Sequence, residues 1–134
     1  TKGNAYGHII LRGGGGKPNY DAAHVKKVEE KLKEAGIPPR IVIDCSHGNS
    51  NKNYKLQTVA LNDAIEQILE GNTSILGMML ESHLYEGHQS IPCDLSKLKY
   101  GVSVTDQCIG WEETEEVILA AHEKLSKKAI AVGG

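Results

Sequence analysis

The chain reads as an α/β domain of parallel strands, organised as four successive βα units. Three observations predict this. Short aliphatic runs alternate with longer segments of helical periodicity, each run ends on one polar or charged residue, and those ends recur at intervals of 35, 34 and 25 residues. That is the pace of consecutive βα units. The runs are Ile9-Ile10-Leu11 ending on Arg12, Ile41 to Ser46 ending on His47, Leu76 to Leu80 ending on Glu81, and Val102 to Thr105 ending on Asp106. A cation, an imidazole and two carboxylates delivered at strand ends suit an active site assembled at one rim of a parallel α/β sheet or barrel.

After the first run, Gly13 to Gly16 make a flexible turn, and Asp21 is placed to cap a helix whose Val25, Val28, Leu32 and Ala35 repeat at spacings of three and four. Gly36 and Pro38-Pro39 stop it. The second strand leads through a turn into a helix over residues 53 to 70, with Leu61, Ala64, Ile65 and Ile68 on one face and Gly71-Asn72 at its end. The third strand, 75 to 81, opens a loop-rich crossover from Glu86 to Tyr100, with one or two helical turns around Asp94 to Lys99. A last strand over 101 to 106 precedes a helix that turns Val117, Ile118, Ala121 and Leu125 inward. Lys124, Lys127 and Lys128 near its end suit the helix dipole. Residues 129–134 read as a frayed, disordered tail.

A chain of 134 residues with 40% hydrophobic content is long and apolar enough for one packed core. A closed (β/α)8, or TIM, barrel takes about 250 residues. Four units alone leave two parallel edge strands unpaired. Residues 1–134 therefore read as a single partial domain, half of such a barrel: a fragment, one piece of a split protein, or a unit that pairs with a copy of itself, so that a homo-oligomer is expected. A small four-stranded open sheet is the competing fold. A net charge of -2 argues against general attraction to nucleic acid or an acidic membrane, and no apolar run approaches the roughly 20 residues needed to span a bilayer. A soluble, cytoplasmic protein is the expectation. Cys45, Cys93 and Cys108 are odd in number and lack C-x-x-C spacing, so they read as free thiols.

His47, Glu81 and Asp106 form a candidate site for a divalent ion such as Mn, Fe, Co or Zn, because imidazole nitrogen and carboxylate oxygen are ordinary ligands for these metals. Each alone reads more simply as a loop-end polar group satisfied by backbone. Strand alternation puts Cys45 on the same side as His47, with Asp44 and Ser46 opposite; Cys45 then either approaches the cavity or, more simply, fills the core. Arg12, followed by four glycines and Lys17, suggests an oxyanion site, against the plainer alternative of a surface ion pair. The loop lacks P-loop spacing. Gly48 to Lys52 either binds substrate or caps the next helix. His83 and His88 read as groups supporting the site or as solvated loop residues, and Trp111 as a packing anchor.

Taken together, His8-Ile-Ile-Leu-Arg-Gly-Gly, Pro18-Asn-Tyr20, Ile43-Asp-Cys-Ser-His-Gly-Asn-Ser-Asn-Lys52, Met79-Leu-Glu-Ser-His83, Glu86-Gly-His-Gln-Ser90 and Tyr100-Gly-Val-Ser-Val-Thr-Asp-Gln-Cys-Ile-Gly-Trp-Glu112 closely resemble the C-terminal half of the microbial 3-deoxy-D-arabino-heptulosonate 7-phosphate (DAHP) synthases of the Phe/Tyr/Trp-sensitive type. The resemblance runs from about Gly3 to Leu125. It implies a TIM-barrel enzyme that condenses phosphoenolpyruvate with erythrose 4-phosphate, the first step of the shikimate route to aromatic amino acids. By position, Arg12 matches the arginine that grips phosphoenolpyruvate. His47, Glu81 and Asp106 match three of four metal ligands, and Asp106 also falls where the family places a group near the aldehyde, a candidate substrate-binding and catalytic residue. The family's fourth ligand, a cysteine, its Lys-Pro-Arg-Thr segment and further phosphate-binding residues belong to an N-terminal half absent here. The Arg12 to Pro18 spacing is one residue longer than the family's Arg-Gly-Gly-Lys-x-Pro-Asn-Tyr. The resemblance implies that the chain alone is inactive and needs the missing half as partner. The other readings are a non-catalytic half-barrel interaction module and a different metal-dependent aldolase or hydrolase.

Overall fold

A computed structural model describes residues 2–132. Three parallel strands, β1 (Ile9–Leu11), β2 (Ile41–Asp44) and β3 (Ile75–Met79), form one sheet in the order β1-β2-β3. Ile9, Ile10 and Leu11 lie opposite Ile41, Val42 and Ile43. Across the other side, Ile41 faces Ile75, and the register then slips at Ile41/Val42 so that Asp44 faces Met79. Because the strands are parallel, their carboxyl ends reach one rim, which carries Arg12, His47 and Glu81.

Helix α1 (Ala22–Glu34) begins as expected, with the Asp21 carboxylate accepting from the backbone N–H groups of Ala23 and His24. A 3₁₀ turn at Tyr54–Leu56 precedes α2 (Gln57–Leu69), so the single helix expected over 53 to 70 is divided in two. Its cap, Asn53, accepts from the N–H of Lys55 at 3.2 Å. Helix α3 spans Trp111–Val132. The tail expected over 129–134 overlaps this helix up to Val132, and residues 133–134 lie outside the described residues.

The core lies on one side of the sheet. Leu11, Ile41, Ile43 and Ile75 from the strands meet Val25 of α1 and Ala60, Leu61, Ala64 and Ile65 of α2, while Val117, Ala121 and Leu125 of α3 pack on its margin. Lys124 ties α3 to α2 through Glu66 at 2.9 Å. Ile10 and Leu76 escape this burial and stay largely exposed. Among the described residues, β1 carries no strand on its outer edge.

Two expectations for the crossover are corrected. The stretch after Glu81, expected as a loop-rich crossover, contains a strand, β4 (Tyr85–His88). The last strand is shorter than expected, β5 (Val102–Ser103), and pairs in parallel with β4 in a separate two-stranded sheet instead of extending the main one. Tyr-Glu-Gly-His carries no two-residue hydrophobic alternation, and this strand is held by backbone bonds that the pattern cannot show, including Tyr85 N–H to Gly101 O at 2.8 Å and Gln89 N–H to Ser103 O at 2.8 Å. A 3₁₀ turn at Leu95–Lys97, capped by Asp94, supplies the helical turn expected there. Beyond β5 the chain runs beside the end of β3, with Ile109 N–H donating to Glu81 O at 3.0 Å and His83 N–H to Ile109 O at 3.0 Å.

All three cysteines are free thiols. Cys45 is fully buried in the core, where loss of solvation and the neighbouring Asp44 push its thiol up to about 12. Burial likewise raises Cys108. Cys93 is exposed. A thiol reagent is therefore expected to label Cys93 rapidly in the native chain and Cys45 and Cys108 only in denaturant, because the thiolate is the reacting form; mass spectrometry of peptides after brief labelling checks this.

Candidate metal centre and anion site

Each strand end at the rim is fixed by a different local device. Behind β1 and β2, the backbones at Gly13 and Gly48 touch: a Cβ on Gly13 would lie 2.6 Å from the Gly48 backbone, and Gly13 has a φ of +81. Only glycine at both positions permits this approach. Gly48 N–H donates to Arg12 O at 3.0 Å. Asn49, 2% exposed, then stitches the two strands together. Its Nδ2 donates to Leu11 O at 2.9 Å and Asp44 O at 2.8 Å, and its Oδ1 accepts from the Asn19 N–H at 2.8 Å. Asn19 in turn accepts from the Gly13 N–H at 2.7 Å.

His47 follows in a tight turn with a φ of +50, the left-handed region, which costs an L-residue about 1–2 kcal/mol. The turn is held by Lys52 N–H to His47 O at 2.9 Å and Ser50 N–H to Ser46 O at 3.2 Å. This conformation corrects the expected alternation. The strand ends at Asp44, and His47 swings to the side of Asp44 and Ser46, with Nδ1 2.8 Å from Asp44 Oδ2 and 2.7 Å from Ser46 Oγ. Cys45 points into the core, not the cavity.

Glu81 is clamped by Gln57, the first residue of α2. Gln57 Nε2 donates to Glu81 O at 3.0 Å, and Gln57 Oε1 accepts from the Glu81 N–H at 2.7 Å. Asp106 is less constrained, its side chain 65% exposed.

These devices bring three of the sequence-predicted groups together. One ligand atom each from His47, Glu81 and Asp106 lies within 4.8 Å of the others, with His47 Nε2 at 3.6 Å from Glu81 Oε1 and 3.8 Å from Asp106 Oδ2. They line a cavity of about 370 Å³ together with Arg12 and Lys52. Burial pushes the Glu81 carboxyl above its ordinary value; His47 opposes the rise, Asp106 and Asp44 add to it, and Arg12 opposes it. An imidazole nitrogen facing two carboxylates is a donor set that suits a divalent transition ion.

Arg12 makes no ion pair within 4.0 Å among the described residues and lines the cavity, its charge acting on Glu81 from a distance. Lys17 is elsewhere, in a tight turn closed by Gly14 N–H to Lys17 O at 3.0 Å. His88, at the end of β4, lines the cavity, and His83 does not. Sequence reasoning missed Asn49 and Gln57 as supports, and it put Asp44 on the wrong side. The Asp44-x-x-His47 spacing was the one available signal.

The fold and rim define an α/β protein of parallel strands with a candidate divalent-metal centre whose cavity is also lined by an arginine. The sequence model of the DAHP synthetase I family matches residues 1–119, and the chain belongs to that family. It is 47% identical over 131 residues to the Tyr-sensitive phospho-2-dehydro-3-deoxyheptonate aldolase of Escherichia coli strain K12, covering 98% of this chain and 36% of that protein. Identity to the Tyr-sensitive aldolase of Enterobacter agglomerans is 52% over 125 residues, covering 93% of this chain and 58% of that one. The solved phospho-2-dehydro-3-deoxyheptonate aldolase from Francisella tularensis SCHU S4 superposes with a TM-score of 0.88 at 44% identity, over 96% of this chain and 37% of that one. The chain thus spans little more than a third of the length of the Escherichia coli and Francisella proteins.

Replacing Asn49 by Ala removes three hydrogen bonds to backbone groups, each contributing about 0.5–1.5 kcal/mol net. Urea unfolding of Asn49→Ala is expected to show a loss of about 2–4 kcal/mol, larger than for Asn51→Ala on the exposed part of the same turn.

Proposed function

We propose that this chain is the C-terminal half of the barrel of a DAHP synthase, and that it contributes the anion-gripping arginine and three metal ligands to the condensation of phosphoenolpyruvate with erythrose 4-phosphate. The observation that carries the reading is the convergence of His47, Glu81 and Asp106 within 4.8 Å, beside Arg12, in a chain of this family. The one-sided core supports the half-barrel: the sheet residues Ile10 and Leu76, outside the helix-covered core, are exposed, as they would be if further strands completed the enclosure.

In this reading Arg12 binds a carboxylate or phosphate oxygen pair of phosphoenolpyruvate through its forked N–H donors. His47, Glu81 and Asp106 hold a divalent ion, Mn, Fe, Co or Zn, which supplies Lewis acidity toward the aldehyde oxygen when bound. Asp106, the most exposed of the three, faces the side from which the aldehyde enters and moves a proton during carbon–carbon bond formation. The rim orients the enol carbon against the carbonyl. A fourth ligand and the remaining phosphate contacts come from the N-terminal half of the barrel, so residues 1–134 by themselves are inactive. The assembled enzyme is cytoplasmic and homo-oligomeric.

Equilibrium dialysis against Mn²⁺ is expected to show weak uptake by the chain that disappears in the triple variant His47→Ala, Glu81→Ala, Asp106→Ala; equal uptake by both overturns the metal assignment. Mixing the chain with the separately produced N-terminal part of a DAHP synthase is expected to restore condensation, followed as loss of phosphoenolpyruvate absorbance. The exposed Ile10 and Leu76 equally suit a non-catalytic assembly module, and association without condensation would select that reading instead.

A further inference from the structure

We infer that Asp44 is a positioning residue: it fixes the proton of His47 on Nδ1 and thereby leaves Nε2 bare toward Glu81 and Asp106. The inference rests on the metal reading for its purpose, but the tautomer it assigns follows from donor and acceptor accounting alone. Asp44 is 2% exposed. Its Oδ1 accepts from the Ser46 N–H at 2.9 Å and from the Ser46 hydroxyl at 2.7 Å. Its Oδ2 lies 2.8 Å from His47 Nδ1. The Ser46 hydroxyl has one proton, and Asp44 takes it, so the Ser46 oxygen 2.7 Å from Nδ1 faces the ring as an acceptor. An ionised carboxylate is an acceptor only.

Nδ1 is therefore bracketed by two acceptors, and the ring meets both only by carrying its proton there. In its neutral form, the form in which imidazole ligates a metal, the ring has no second proton and Nε2 keeps its lone pair. On that side it faces two carboxylate oxygens, Glu81 Oε1 at 3.6 Å and Asp106 Oδ2 at 3.8 Å, beyond hydrogen-bond length and spaced as ligands around a shared ion would be. The left-handed backbone at His47 serves the same end. With a φ of +50 it turns the ring back over Asp44, three residues earlier, where extended backbone would have sent it to the opposite side. Asp44 is held in turn by Asn49, which donates to its backbone carbonyl at 2.8 Å. A ligating histidine fixed by a buried carboxylate through its other nitrogen is a recurrent device for orienting the ring and raising its basicity, and its loss typically costs about 10- to 100-fold in metal affinity.

The test combines ¹⁵N–¹H long-range correlation spectra of the full 134-residue chain with titration by Co²⁺ alone. The unsubstituted chain is expected to show His47 protonated at Nδ1 with Nε2 bare. Asp44→Asn, folded by circular dichroism, is expected to populate the other tautomer and to bind Co²⁺ about 10- to 100-fold more weakly. Ser46→Ala, which leaves the Asp44 carboxylate in place, is expected to keep the Nδ1 proton. A His47 proton on Nε2 in the unsubstituted chain overturns the inference, and so does a folded Asp44→Asn variant with unchanged tautomer and Co²⁺ affinity. Should Asp44→Asn fail to fold, loss of the Nδ1 proton in Ser46→Ala overturns it equally. If His47→Ala leaves Co²⁺ binding intact, the metal reading falls while the spectra still decide what Asp44 does.

Discussion

The rim depends on a contact between two stretches of bare backbone. Where β1 and β2 end, the chain must turn outward, yet Arg12 and His47 must face one small cavity. That requires the two exits to run side by side at a separation no side chain allows, and Gly13 and Gly48 meet with less than a Cβ's width between them. Neighbouring parallel strands sit about 4.8 Å apart, so the contact holds the two chains together beyond the last ladder pair, Leu11 with Ile43. Asn49 then converts proximity into a fixed joint, since its amide spends both of its donor protons on carbonyls of different strands. Hydrogen bonds of this kind add modest net stability. Their larger effect is that any relative sliding of the strand ends would leave buried polar atoms unpaired.

How far the sequence discloses this arrangement depends on the range of the interaction. The starts of β1, β2 and β3 were legible because an aliphatic run is a local pattern, whereas β2, β3 and β5 stop short of the polar residues that close those runs. The helix starts at Asp21 and the turn at Asp94 were legible because their capping bonds span two or three residues. Strand β4 was not, since its exposed Tyr-Glu-Gly-His segment owes its conformation to backbone partners over ten residues away. Gln57 and Asn49 were invisible for the same reason: a glutamine at a helix start and an asparagine in a turn are ordinary until their partners, 24 and 38 residues distant, are known. The side assigned to Cys45 relative to His47 failed on a different ground. Alternation by two holds only while the backbone stays extended, and one residue with positive φ cancels it.

Electrostatics explain why so much rigid support surrounds so few side chains. Asp44, Glu81 and Asp106 converge on one imidazole, and among carboxylates this close each charge opposes the others. The raised Glu81 carboxyl registers that opposition together with its burial. Arg12 relieves part of it from across the cavity. Left to relax, such groups would swing apart into solvent, as Asp106 is free to do.

The structure resists that relaxation unevenly. Asp44 is locked by hydrogen bonds to both of its oxygens, Glu81 is held through its backbone by Gln57, and Asp106 is anchored least. The order matches the depth of each group below the rim. A gathered acidic set is unfavourable by itself and becomes favourable when a cation joins it, so under the proposed metal reading this rigidity would count as preorganisation: the repulsion is met during folding, and a cation would find its oxygens already in place. Freedom at Asp106 leaves one side of the centre able to adjust to what enters, while the imidazole and Glu81 keep a fixed frame.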